Sequence, residues 1–209
     1  MVQRTKNITW SGGFAVALLT AAAIAGAACD TRNASAESAG SSTATAESRA
    51  AQVERGRYLV TVNVCNDCHT PLKMGPNGPE PDMSRMLSGH PEQYTITEAA
   101  APPSGQWQNG FTMAPTMTAF SGPWGVSFTA NLTPDQNTGL GIWTEDMFIT
   151  ALRTGKHFGV SRPILPPMPW QYFGKMTDDD LKAIFAYLRT IKPISNHVPD
   201  PIPPASTTH

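Results

Sequence analysis

The pentapeptide Cys65-Asn66-Asp67-Cys68-His69 constrains this 209-residue chain more than any other feature. Two thiols separated by two residues and followed at once by an imidazole form a C-x-x-C-H pattern, the arrangement that attaches a c-type haem. Each thiol can add across one vinyl group of the porphyrin, while the adjacent histidine is presented to the iron as its proximal ligand. A redox dithiol or half of a zinc site would also contain C-x-x-C. Neither requires His69, and the chain has only one further cysteine, Cys29.

The N-terminus reads as an export signal over 1–29. Arg4 and Lys6 make a short basic region, and Phe14 to Ala28 is an alanine-rich apolar run, too short and too poor in large side chains for a membrane span. Cys29 follows that run, where the modified cysteine of a bacterial lipoprotein would sit, although the usual leucine is missing before Gly26-Ala27-Ala28. Two readings stand: a lipid anchor at Cys29, or ordinary cleavage near Ala25-Gly26-Ala27. Residues 30–50, built from Ala, Ser, Thr, Glu and Gly, bury too little apolar surface to fold and read as a disordered linker. The folded domain is expected over 51–194, and 195–209, with Pro199, Pro201, Pro203 and Pro204, reads as an extended tail without a core role. With 15 basic and 16 acidic residues there is no electrostatic footprint for nucleic acid.

Nineteen prolines and seventeen glycines predict short helices joined by long ordered loops, a mainly α fold. Val53, Tyr58, Leu59 and Val62 suit one helical face running into the C-x-x-C-H motif, and Gly56 leaves room for a second helix to approach. Thr144, followed by Glu145 and Asp146, caps a helix to Arg153, and Gly155 stops it. Thr177 with Asp178, Asp179 and Asp180 caps another, on which Leu181, Ile184, Phe185 and Leu188 recur with helical period. Capping explains these three carboxylates without a metal. Between Pro71 and Trp143 periodicity is weak, with one short strand expected within Gly125 to Asn131. Trp107, Phe111, Phe120, Trp124 and Phe128 in this stretch are expected to pack on the porphyrin.

The order of these features resembles a monohaem class I cytochrome c: a helix with Gly56 and Tyr58, the C-x-x-C-H motif, a proline-flanked methionine, and the capped aromatic helix. More narrowly, Thr129-Ala130-Asn131-Leu132-Thr133-Pro134-Asp135 with Gly139-Leu140-Gly141-Ile142-Trp143-Thr144 is similar to cytochrome c domains of membrane-bound bacterial alcohol and gluconate dehydrogenases. The likeness covers roughly Val53 to Pro193. Such domains often occur with several C-x-x-C-H motifs, whereas this chain has one, so a multi-haem relay is not carried over. The resemblance implies a cytochrome c fold of short helices around one covalent haem c, with a long irregular insertion. It implies electron transfer, not catalysis, in the periplasm or on the outer face of a bacterial membrane. The partners would be redox proteins, a dehydrogenase or a terminal oxidase among them. Three functional readings follow: a free electron carrier, the haem subunit of a periplasmic dehydrogenase, and a haem-based sensor with a labile distal site.

The second axial ligand separates these readings, and Met168 in Leu165-Pro166-Pro167-Met168-Pro169-Trp170 is the expected one. Flanking prolines hold its thioether with little entropy left to lose, as in the proline-adjacent methionines of the cytochromes it resembles. Met113 and Met117 are the rivals; His90, His157 and His197 read as solvent-facing or loop histidines. Arg153, Lys156, Arg162 and Asn131 are candidates to meet the haem propionates, Trp143 and Trp170 to line the pocket, and Tyr58 and Phe185 to pack between the terminal helices.

Overall fold

The structure, a computed structural model, describes residues 31–98 and 112–204, with side chains from residue 45. The chain divides into two compact units, Met1–Gly40 and Ser41–His209. Of the first, only the helical backbone of 31–40 is described. The export signal, Cys29, Trp107 and Phe111 lie outside the described residues.

Helix α1 spans Thr31–Val62. Residues 31–50 are therefore helical where the composition led us to expect an unfolded linker; alanine and glutamate favour helix even without an apolar stripe. Further along, burial follows the helical period: Gly56, Leu59 and Val60 are buried, while Arg57, Tyr58, Thr61 and Val62 are exposed. Tyr58 therefore does not pack between the terminal helices. One residue, about 100° around the helix from Leu59, places its ring outside, beneath the Arg55 guanidinium at 5.6 Å.

Helix α5, Asp178–Leu188, crosses α1 at Gly56. The Thr177 hydroxyl accepts the Asp180 N–H at 3.2 Å, as its sequence requires of a cap. Leu181, Ile184, Phe185 and Leu188 are buried, each contributing about 2 kcal/mol of apolar transfer free energy. Helix α3, Glu145–Thr154, is capped by Thr144 and ends at Gly155, whose φ of 66° suits a residue without a Cβ. It packs against α5, with the Phe148 and Phe185 rings 5.3 Å apart, and against the short α4, Trp170–Phe173.

The stretch between the motif and α3 holds more order than its periodicity promised. Strands β1 (Leu72–Gly75) and β2 (Gly78–Pro81) form an antiparallel hairpin, and β3 (Thr112–Met113), β4 (Ala119–Gly122) and β5 (Gly125–Phe128) a three-stranded antiparallel sheet. Strands of two to four residues are too short to display an alternation, so the pattern is invisible while the turns still set the register. The described fold is thus mixed, five helices with two small sheets, rather than helix alone. The expected aromatic cover packs within this sheet region. Phe128 tilts onto His90 at 4.8 Å, Phe120 is buried, and the Trp124 indole lies over Gly122 while Nε1 donates to the Ser127 hydroxyl at 3.3 Å.

The described part of the C-terminal segment is not idle. Val126 and Ile202 exchange backbone hydrogen bonds of 2.8 and 3.0 Å, and Asn196 is completely buried. A Cβ on Gly125 would lie 2.0 Å from the Ile202 carbonyl oxygen, so glycine there admits the tail.

Candidate haem-attachment site

Helix α2, Cys65–His69, is a single turn set off from α1 by Val64, whose φ of 52° is left-handed. A β-branched residue in that conformation costs roughly 1–3 kcal/mol, and here it separates α2 from the end of α1. Cys65, Cys68 and His69 stand at i, i+3 and i+4, which places all three on one side of the turn. Neither cysteine is in a disulfide. Burial pushes the Cys65 thiol up to about 11, and burial followed by the nearby Asp67 carboxylate raises Cys68, so both sulfurs carry protons at neutral pH.

The imidazole is fixed from behind. His69 is buried, and its Nδ1 donates to the Ala130 carbonyl at 2.8 Å. A carbonyl can only accept, so the proton is on Nδ1 and Nε2 is the bare, metal-binding nitrogen. Burial also holds the ring below the usual imidazole range, hence neutral. The backbone around it is held as tightly. Gly89 N donates to the His69 carbonyl at 2.8 Å, and the buried Thr70 hydroxyl accepts from Leu87 N at 2.9 Å while donating to Asn66 Oδ1 at 2.8 Å.

Two thiols beside one bare imidazole nitrogen fit a group that is covalently tethered and brings its other iron ligands with it. Among the described residues no set of three or more His, Cys, Asp or Glu side chains converges to hold a naked metal ion. The donor set thus fits haem c better than it fits an isolated cation.

Met168 lies in a loop fixed at several points. Ile164 N donates to the Gly155 carbonyl at 2.7 Å, His157 N to the Arg162 carbonyl at 2.9 Å, and the Ser127 hydroxyl to the Pro166 carbonyl at 2.5 Å. The Trp170 ring covers Gly155, where a Cβ would come within 2.3 Å of it. Met168 is half-buried and packs against the same apolar cluster as Cys65. Of its rivals, Met113 is 57% exposed and Met117 occupies a left-handed turn with φ 54°.

Several side chains with softer claims are engaged elsewhere. Asn131 donates to the Ile194 carbonyl at 2.8 Å, and its Oδ1 accepts from Thr133 N and Oγ1 at 3.0 and 2.7 Å. Arg153 binds the Gly174 carbonyl and Asp178. Arg162 reaches Asp200 at 4.0 Å, and Lys156 is exposed. Trp143 stacks on Phe158 at 4.6 Å and meets His157 edge-on at 5.2 Å. The motif from Asn131 to Trp143 is a tight loop. Asp135 Oδ1 accepts from Asn137 N and from Thr138 N and Oγ1, and Arg189, just past the end of α5, donates to the Leu140 and Gly141 carbonyls.

His90 is the clearest departure. It lies in a loop, as one of the two readings had it, but is wholly buried rather than solvent-facing, donating through Nε2 to the Tyr94 carbonyl at 2.8 Å and accepting at Nδ1 from the Thr118 hydroxyl at 2.9 Å. Both nitrogens are used, which removes it as an iron ligand. Burial depresses its pKa, so below about pH 6.5 the unfolded chain takes up a proton that the folded ring resists. Stability is therefore full above that pH and declines as pH falls towards the folded-state value. Unfolding followed between about pH 7.5 and 5.5 should show a shallower loss in His90→Gln than in the wild type.

Comparison with known proteins finds cytochrome subunits of bacterial dehydrogenases. The chain is 28% identical over 143 residues to the fructose dehydrogenase cytochrome subunit of Gluconobacter japonicus, covering 68% of this chain and 22% of that protein. It is 27% identical over 154 residues to the cytochrome c subunit of alcohol dehydrogenase (quinone) from Gluconobacter oxydans, covering 72% and 24%. Over 140 residues it is 27% identical to the gluconate 2-dehydrogenase cytochrome c subunit of Pantoea cypripedii, covering 66% and 22%. No family model matches. The chain is a homologue of cytochrome c subunits of bacterial dehydrogenases, which bears out the resemblance read from its motifs. It spans about a quarter of the length of these relatives.

Proposed function

We propose that this chain is an exported one-electron carrier with a single haem c, acting as the haem component of a dehydrogenase system rather than as the catalyst itself. The observation that carries the reading is the placement of Cys65, Cys68 and His69 on one side of a single helical turn, with Nδ1 of His69 held by the Ala130 carbonyl. When bound, the haem supplies an iron that cycles between two oxidation states. The chain's own residues do the rest. Cys65 and Cys68 tether the porphyrin, His69 presents a neutral Nε2, and the Ala130 carbonyl raises the basicity of that nitrogen. The Met168 thioether would be the other protein ligand to the iron; its softness would favour the reduced state, and its proline-flanked, multiply anchored loop supports the assignment. The domain would then be a cytochrome c fold with the two small sheets as its insertion.

The names of the relatives support a dehydrogenase partner, which would dock at the haem edge through a small, short-lived interface. Residues 1–29 would direct export to the periplasm, and Cys29, if retained and lipidated, would hold the protein on the outer face of the membrane. Among the described residues no helix is long and apolar enough to cross a membrane. The test is chemical. Protein made in a host that matures c-type cytochromes should keep its haem through denaturing electrophoresis, with one haem per chain by pyridine haemochrome assay, and the Cys65→Ser/Cys68→Ser double variant should keep none. A wild-type chain that loses all haem on denaturation would refute covalent attachment.

A further inference from the structure

We propose that Asn196, in the C-terminal tail, is a positioning residue for the proximal histidine; the proposal rests on the reading of His69 as a haem ligand. Asn196 is wholly buried and its side-chain amide is fully used. Oδ1 accepts from Arg85 Nη2 at 2.8 Å and from Glu92 N at 3.0 Å; Nδ2 donates to the Ser88 and His90 carbonyls at 2.7 and 2.8 Å. Carbonyls accept and guanidinium groups donate, so the amide has only one orientation that satisfies all four partners.

What the amide holds is the support of His69. The two carbonyls it grips flank Gly89, whose N–H donates to the His69 carbonyl at 2.8 Å. From the same loop His90 N donates to the Thr129 carbonyl at 3.0 Å, one residue before the Ala130 carbonyl that receives Nδ1. The other side of that peptide is also tied to the tail: Asn131 Nδ2 donates to the Ile194 carbonyl at 2.8 Å, and Ile194 N donates to the Thr133 hydroxyl at 3.1 Å. Residues 194–196 therefore join the loop behind His69 to the strand exit that carries its hydrogen-bond acceptor. A cross-brace of this kind fixes the Nδ1 to carbonyl distance, and with it the basicity of the nitrogen facing iron.

Asn196→Asp tests this with almost no change of shape. It keeps both acceptor contacts, including the one from Arg85, but turns the Ser88 and His90 carbonyls towards a carboxylate that cannot donate to them. In haem-loaded protein Asn196→Ala should raise the midpoint potential, because a weakened Nδ1 hydrogen bond makes His69 a poorer donor to ferric iron; Asn196→Asp, whose added negative charge lowers the potential by itself, is read by proton exchange. Deuterium exchange of the His69 Nδ1 proton, followed by NMR, should quicken by about tenfold, the effect of losing one hydrogen bond's typical net worth. Gly56→Ala, which loosens the helix crossing instead, should lower the melting temperature without moving the potential. If Asn196→Asp does not accumulate, Arg85→Gln removes one of the two donors to Oδ1 and should quicken exchange on a smaller scale. Wild-type potential in Asn196→Ala and wild-type exchange in both Asn196 variants, with haem attached, would overturn the proposal, as would an equal shift in Gly56→Ala. A wild-type chain without covalent haem would instead overturn the reading of the site on which it rests.

Discussion

Met168→Ala should abolish the ferric charge-transfer absorption at the red edge of the visible spectrum and open the iron to carbon monoxide, while the haem stays covalently attached. In the proposed assignment the thioether is a neutral, polarisable ligand that favours ferrous iron, and alanine replaces it with nothing that can reach the metal. The midpoint potential should fall by a substantial part of the roughly 0.8 V over which axial ligands set haem potentials. Met113→Ala and Met117→Ala are the controls. The first side chain is mostly exposed and the second sits in a strained turn of the sheet region, so both variants should retain the band and the potential. Spectroelectrochemistry on the three variants decides the assignment; a band that survives in Met168→Ala would remove Met168 as the ligand.

The largest loss of stability is expected from Gly56→Ala. An added Cβ would lie 1.9 Å from the Ala183 carbonyl oxygen and 2.8 Å from Tyr187 Cβ, the first of them backbone that cannot rotate away. Separating α1 from α5 by the required distance costs about 3 kcal/mol of overpacking, offset by about 1 kcal/mol of improved helix propensity. The net loss of about 2 kcal/mol corresponds to a melting temperature lower by roughly 4–8 °C in a domain of this size. A thermal melt that matches the wild type would mean that the two helices do not meet closely at this point.

Helices α3 and α5 and the C-terminal part of α1 were legible because each has its own local signals, which residues 31–50 and the short α4 lack. Thr144 and Thr177 cap α3 and α5 as their spacing requires, Gly155 stops α3 in a left-handed conformation, and Gly56 meets α5. Of the strands only β5 was expected, within Gly125 to Asn131; the others were not legible, since two to four residues carry no measurable period and their pairing is set by turns such as that before Gly125. Tyr58 was misplaced for a related reason. A helical face is uncertain by one position until the partner is known, and one position is enough to move a ring from core to solvent.

The chemistry and its order along the chain were determined by sequence alone: two thiols, an adjacent imidazole, a proline-held methionine and capped helices are local facts needing no knowledge of the fold. Tertiary structure decided what surrounds them. The proton on Nδ1 of His69 is set by a carbonyl 61 residues away, and Asn196 reaches the loop at Ser88 across 108 residues. His90 and Asn131 are bound into the same framework rather than freed for a ligand. Hydrogen bonds between distant segments leave no periodic trace in a sequence, because the buried amide that satisfies them looks no different from one in a surface turn until the chain has closed around it.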